Sequence, residues 1–216
     1  MLFRSWRAAL NIVERAEKIA ATKNLSKRSV PLKFLIPFFE KASLQDDAER
    51  LSNMWSTLLA RARDDYKDRY VTYIDILNGL SPHEASILSA MWTSADEEIF
   101  SAWNLGAPMA HLQYHLEHSA ALGSSLTFDR EVTVDDFTTE GSIVYFFHED
   151  DVANMNALNF RDMSEFIDLS HLESLGLVSA LWAAVKTPKH RHFVAIASLS
   201  PLGYDFLEAC QGKEES

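Results

Sequence analysis

The chain is poor in the residues that most often announce a chemistry. Among 216 residues there is one cysteine, Cys210, which excludes an intrachain disulfide and favours a reducing compartment. Seven glycines are few for a nucleotide site. No phosphate-binding glycine loop, G-x-S-x-G elbow, H-E-x-x-H or paired-cysteine motif occurs. No apolar run approaches the ~20 residues that a membrane-spanning helix needs. The nearest, residues 30–39, contains Lys33 and two prolines. The first residues lack the continuous apolar stretch and small-residue cleavage site of a secretory signal, so the expected location is the cytoplasm. What is present is enough apolar material, 47% of residues with five tryptophans, to bury a real core in one domain or two small ones.

Positive charge is scarce beyond the first segment. Residues 1–33 carry eight Lys or Arg against Glu14 and Glu17, a local +6, so the rest must sum to -17 to give the net -11. An acidic body opposes broad nucleic-acid binding, because that affinity comes largely from matching phosphates with cations. Any such contact must be local.

The central stretch is 43–62, SLQDDAERLSNMWSTLLARA. Leu51, Met54, Trp55, Leu58, Leu59 and Ala62 recur at the spacing of one helical face, with Arg50, Ser52, Asn53 and Arg61 off it. Ser43 is the expected N-cap, with Asp46 in the third helical position and Asp47 and Glu49 suited to the positive end of the dipole. Ahead of it, residues 3–22 read as an amphipathic helix with Phe3, Trp6, Leu10, Val13, Ala16, Ile19 and Ala20 inward. A polar linker, TKNLSKRS, leads to Pro31 and a short, nearly all-apolar helix, PLKFLIPFFEKA, which by composition belongs inside. The linker's cations read as solvated turn charges in preference to a phosphate or lipid contact. Further on, YVTYIDILNGL suits either a short helix or a strand. Ser81-Pro82-His83-Glu84 then combines a capping serine, a proline at the first helical position and a glutamate at the third. Ser94-Ala95-Asp96-Glu97 repeats the device, so helices are expected to dominate to about residue 122.

The texture then changes. REVTV and SIVYFF are β-branched and aromatic and flank DDFTTEG, which predicts an antiparallel pair, while 149–164 reads as loop with a turn or two of helix. DLSHLESLGLV predicts a helix with Leu169, Leu172 and Leu175 inward and Gly176 as a left-handed stop. LWAAV and FVAIASL bracket the basic turn KTPKHRH as two strands. Ser200-Pro201 caps a last helix with Leu202, Phe206, Leu207 and Cys210 inward. The expected fold class is therefore mainly α. A helical bundle over residues 1–95 is followed by a mixed segment, 96–216, that ends in an α+β winged-helix-like module at about 166–210.

Two clusters are candidates for chemistry. His111, His115 and His118 return to nearly one azimuth on a helix, with Glu117 beside them, a spacing able to hold zinc or nickel. A further ligand would have to come from elsewhere, with His148, Glu149 and Asp150 as candidates. An ordinary polar helix face is the favoured reading, so no cofactor is expected beyond that alternative divalent metal. The second cluster is the basic turn, Lys186, Lys189, His190, Arg191 and His192. In a DNA-binding winged helix the wing meets the phosphate backbone while the recognition helix enters the major groove. The equivalent helix here offers Asp168, His171 and Glu173 and no Lys or Arg, poor chemistry for a phosphate-lined groove. Cys210, on the inward face of the last helix, reads as an inert small hydrophobe. The leading expectation is non-enzymatic action through a protein partner or a homodimer. A winged-helix DNA binder and a metal-dependent hydrolase built on the histidine triplet are the alternatives.

Residues 30–62, LSPHEASIL at 80–88, and LSHLESLGLV with LSPLGYDFLEAC at 169–178 and 199–210 together resemble the bacterial Abi-alpha (abortive infection alpha) family. Leu51, Trp55, Leu58 and Leu59 stand at matching positions, as do Leu175-Gly176-Leu177 and Leu202-Gly203, and the likeness passes over roughly residues 95–160. No catalytic motif comes with it. The resemblance implies a role in bacterial defence against phage.

Overall fold

In the computed structural model, the helix read as central is α3, Glu49–Asp64. The structure describes residues 2–44, 48–93, 125–128, 142–149, 164–186 and 191–212, with side chains at 7–44, 48–92, 167–180 and 197–212. Two units divide the chain, Met1–Ile87 with Tyr204–Ser216, and Leu88–Gly203. In the first, α3 is buried almost all round: at the six positions that the periodicity predicts, and also at Ser56, Thr57 and Ala60. The two hydroxyls donate to the carbonyls of Ser52 and Asn53, at 2.7 and 2.9 Å, so they enter the core already paired.

α3 starts later than expected. Ser43 is the C-cap of the preceding helix, α2 (Leu32–Ala42): its N–H donates to the Phe39 carbonyl at 3.1 Å and its hydroxyl to that of Glu40 at 2.9 Å. α3 opens from Ala48 with no side-chain cap, and Asp46 lies outside the described residues. A serine hydroxyl serves either end of a helix, and periodicity does not say which.

α1 (Leu2–Thr22) lies along α3. Its buried line is Ala9, Ile12, Ala16 and Ala20, whereas Leu10, expected inward, is 56% exposed. Small side chains let the two helices approach, and that shape requirement outweighs the larger hydrophobe on the neighbouring azimuth. α2 is a second correction. It buries Phe34, Phe38 and Ala42, but not its whole surface. α4 (Tyr70–Gly79) resolves the open choice in favour of a helix, with Tyr70, Tyr73, Ile74, Ile76 and Leu77 buried. α5 (Pro82–Thr93) carries the predicted capping box: the Glu84 N–H donates to the Ser81 hydroxyl at 3.1 Å, and the Ser81 N–H to the Glu84 carboxylate at 2.6 Å.

Aromatic rings thread this unit. Phe38 stacks on Phe34 at 5.3 Å and meets Trp55 edge-on at 5.2 Å. Phe34 continues to Tyr66, then Tyr70, Tyr73 and finally Phe206, on the last helix, α7 (Pro201–Gln211). Rings offset or edge-on in this way gain about 0.5–1.5 kcal/mol per pair beyond their burial.

Among the described residues the second unit carries a four-stranded antiparallel sheet in the order β1-β3-β4-β2, from β1 (Ser125–Phe128), β2 (Ser142–Glu149), β3 (Val178–Lys186) and β4 (Arg191–Leu199). β3 and β4 form the predicted hairpin, in register from Val178 opposite Leu199 to Lys186 opposite Arg191. β2 matches the SIVYFF prediction but pairs with β4, and the REVTV segment lies outside the described residues. Before the hairpin comes α6 (Ser164–Ser174), with Leu169 and Leu172 fully buried and Leu175 half-buried. It ends as predicted. Gly176, at φ 72°, donates to the Glu173 carbonyl at 2.9 Å, and Leu177 reaches back to Leu172 at 3.1 Å, the paired closure of a Schellman motif. Ser200 caps α7 through its hydroxyl, which accepts the Gly203 N–H at 2.9 Å. Leu202, expected inward, is 40% exposed and sits over Gly176. A helical bundle is thus followed by a helix, an antiparallel hairpin and a C-terminal helix in a winged-helix-like arrangement.

Candidate interaction surface

The feature that the sequence concealed is the outward face of α2. Leu32, Ile36 and Phe39 are 70, 57 and 37% exposed, although all three were expected inside. On a helix these positions share one azimuth, opposite the buried line of Phe34, Phe38 and Ala42. α2 therefore has two apolar faces and only one core. Leu44, just past its end, is exposed as well. The overlooked signal is the pair Lys33 and Glu40, seven residues apart, which marks the side that faces water; Leu32, Ile36 and Phe39 lie next to it. One edge of the stripe is charged, by Lys33 and Glu40. Lys33 pairs with Asp68 at 2.7 Å and lies over the Tyr66 ring, and on the far side of the helix Lys41 pairs with Asp75.

The linker after α1 stays at the surface and is tied there to the bundle's own carboxylates. Lys27 reaches Glu17 at 2.7 Å, and Arg63 pairs with the same carboxylate. Hydrogen bonds from Lys27 and then Arg63 lower the Glu17 carboxyl to about 2, so it stays ionised at neutral pH. Ser26 donates its N–H and its hydroxyl to Asp64 Oδ1, at 2.8 and 2.6 Å, which holds that carboxyl below its ordinary range. The Arg28 N–H donates to the Arg63 carbonyl at 2.8 Å. This segment fastens α1 to the end of α3.

α7 is held to α4 by a carboxylate. Asp205 accepts from the Tyr73 hydroxyl and from Arg69, the latter at 2.5 Å. Burial, and then the bond to Asp205, push the Tyr73 hydroxyl above its ordinary pKa. Cys210 is fully buried further along α7, and burial alone pushes its thiol well up, which makes it a poor nucleophile in place. Asp205→Ala is expected to cost about 1–3 kcal/mol, because it leaves the buried Tyr73 hydroxyl without its acceptor. Asp205→Asn keeps an acceptor and is expected to cost less. The single cysteine reports the effect: labelling of Cys210 by an aromatic disulfide should speed up roughly tenfold or more in the alanine variant. Unchanged labelling would mean that the carboxylate does not hold the helix.

Of the residues singled out in the sequence, His111, His115 and His118 lie outside the described residues, as do Lys189 and His190. Lys186 closes β3 and Arg191 opens β4; in register Arg191 stands opposite Lys186 on one side and Glu149 on the other. On α6, Glu173 accepts the Ala180 N–H at 3.1 Å and so is used in holding the helix to the hairpin. Among the described residues no group of three or more His, Cys, Asp or Glu is placed to hold a metal ion, and no helix is long and apolar enough to cross a membrane.

These features define a helical-bundle protein with a winged-helix-like module and an apolar helix face turned to solvent. The chain belongs to the abortive infection alpha family, Abi-alpha, whose family model matches residues 7–210. Comparison with curated proteins and with solved structures found no match in either.

Proposed function

We propose that the protein is a cytoplasmic, non-catalytic component of bacterial defence against phage that acts through protein contact, made by the outward face of α2. The observation that carries this reading is the exposed line Leu32, Ile36 and Phe39 on a short helix whose opposite face already fills the core. Solvent-facing apolar residues aligned on a rigid element cost solubility and mark contact surfaces. Family membership supplies the defence context. Ile36→Asp changes the centre of this face without touching the core, so it is expected to leave the far-UV spectrum and melting temperature within a few degrees while abolishing protection of expressing cells in a phage plating assay. Full protection by a folded Ile36→Asp variant would refute the reading. Winged-helix DNA binding remains the second reading, supported by the arrangement of α6, hairpin and α7. It requires affinity that falls steeply with salt and is lost on Lys189→Glu with Arg191→Glu.

A further inference from the structure

We infer that the occupant of the α2 face is a second copy of this chain, paired antiparallel about a two-fold axis at Ile36; the inference rests on the contact reading above. A two-fold interface must be self-complementary, because each patch meets its own image. The α2 face satisfies that condition three ways. Leu32 and Phe39 are centred on position 35.5, Ile36 on itself, and Lys33 and Glu40 on 36.5, so all three centres fall within one residue of each other, about 1.5 Å along the axis. One axis therefore sets Leu32 of each copy against Phe39 of the other and Ile36 against Ile36. It also brings Lys33 of each copy to Glu40 of the other.

The charges lie on the correct side for this. A rotation about an axis perpendicular to two antiparallel helices maps each flank of the contact onto the same flank. Lys33 and Glu40 share one flank, since seven residues return to within about 20° of the same azimuth. Opposite charges so placed attract in the antiparallel pair, whereas a two-fold parallel pair would put the two Lys33 and Glu40 rows on opposite flanks, where neither charge meets its complement. The present partner of Lys33, Asp68, is itself 82% exposed, and an ion pair so open to water adds little to stability. That bond gives way readily. A face of one short helix falls below the ~800 Å² per partner of a standard interface, so the pair should be weak and exchange with concentration.

Sedimentation velocity of the full chain over roughly 1–300 μM is expected to show a monomer–dimer equilibrium with a dissociation constant on the order of 10–100 μM. Ile36→Asp should be monomeric throughout. Lys33→Glu and Glu40→Lys should each weaken the dimer roughly tenfold by opposing like charges, and the two changes together should restore it to within about threefold. Circular dichroism of each variant separates lost pairing from lost folding. A wild-type monomer over the whole range, or a double variant no better than the single ones, overturns the inference. The two proposals fail separately. A monomeric wild type whose protection is lost in Ile36→Asp keeps the contact reading and assigns the face to a different protein. A dimer whose Ile36→Asp variant still protects keeps the pairing and removes its role in defence.

Discussion

Gly203→Ala is expected to be among the most damaging single-carbon additions in the chain. A Cβ built on Gly203 would stand 2.0 Å from the Leu177 carbonyl oxygen and 3.0 Å from its carbon. Both sides of that contact are backbone, so no rotamer change relieves it. Leu177 is fixed by the bond that closes α6, and its carbonyl also accepts the Ser200 N–H at 3.0 Å. Gly203 is held in turn by the Ser200 hydroxyl. The added methyl must separate the first turn of α7 from the end of α6 or break the cap, and a cost of about 3 kcal/mol or more is expected, the upper end of overpacking effects. Urea unfolding followed by far-UV circular dichroism measures it. Gly79→Ala is the control: nothing lies within 4 Å of its added Cβ, and at the end of α4 the change should stay within ~1 kcal/mol or stabilise. If the two variants unfold at the same urea concentration, the close approach relaxes freely and the packing account of this junction is wrong.

How much of this was legible follows from how far each determinant reaches. The capping box of Ser81 and Glu84, the stop at Gly176 and the cap at Ser200 all close over three to five residues. Both partners stand in the same short string, and each was readable. Ser43 shows the limit, because the same hydroxyl chemistry closes α2 where it was expected to open α3. Burial was legible where periodicity and volume agree, as on α3. It failed where a neighbouring helix imposes a shape: α1 turns Ala9 and Ala16 toward α3 and leaves Leu10 in solvent. The α2 face was missed for a related reason. A nearly all-apolar string gives no internal contrast, so only its flanking charges tell inside from outside. Strand pairing divides by separation. The β3–β4 hairpin is local and was found, whereas the pairing of β1 with β3 and β2 with β4 joins segments some fifty residues apart and left no local trace.

Trp55→Ala should unfold the first unit most readily. Trp55 is 0% exposed, sits mid-way along the most buried helix and packs edge-on against Phe38. Removing it leaves a large cavity between α2 and α3, with an expected loss of about 3–5 kcal/mol. Trp55→Phe separates volume from polarity. The indole Nε1 is buried with no hydrogen-bond partner among the described residues, and an unpaired buried donor costs about 1–3 kcal/mol. Phenylalanine forfeits part of the ring's packing but also removes that donor, so the two terms oppose and the net cost should stay below ~2 kcal/mol. The measurement is the urea midpoint of both variants beside wild type, with intrinsic fluorescence avoided because the probe itself changes. A phenylalanine variant as unstable as the alanine one would show that Nε1 is satisfied and contributes to stability. The expected ordering would instead mean that α3 holds its tryptophan for volume alone. In cells the alanine variant should lose protection through low abundance, while Ile36→Asp should lose it at normal abundance, so quantifying the protein beside the plating assay tells a broken core from a broken contact.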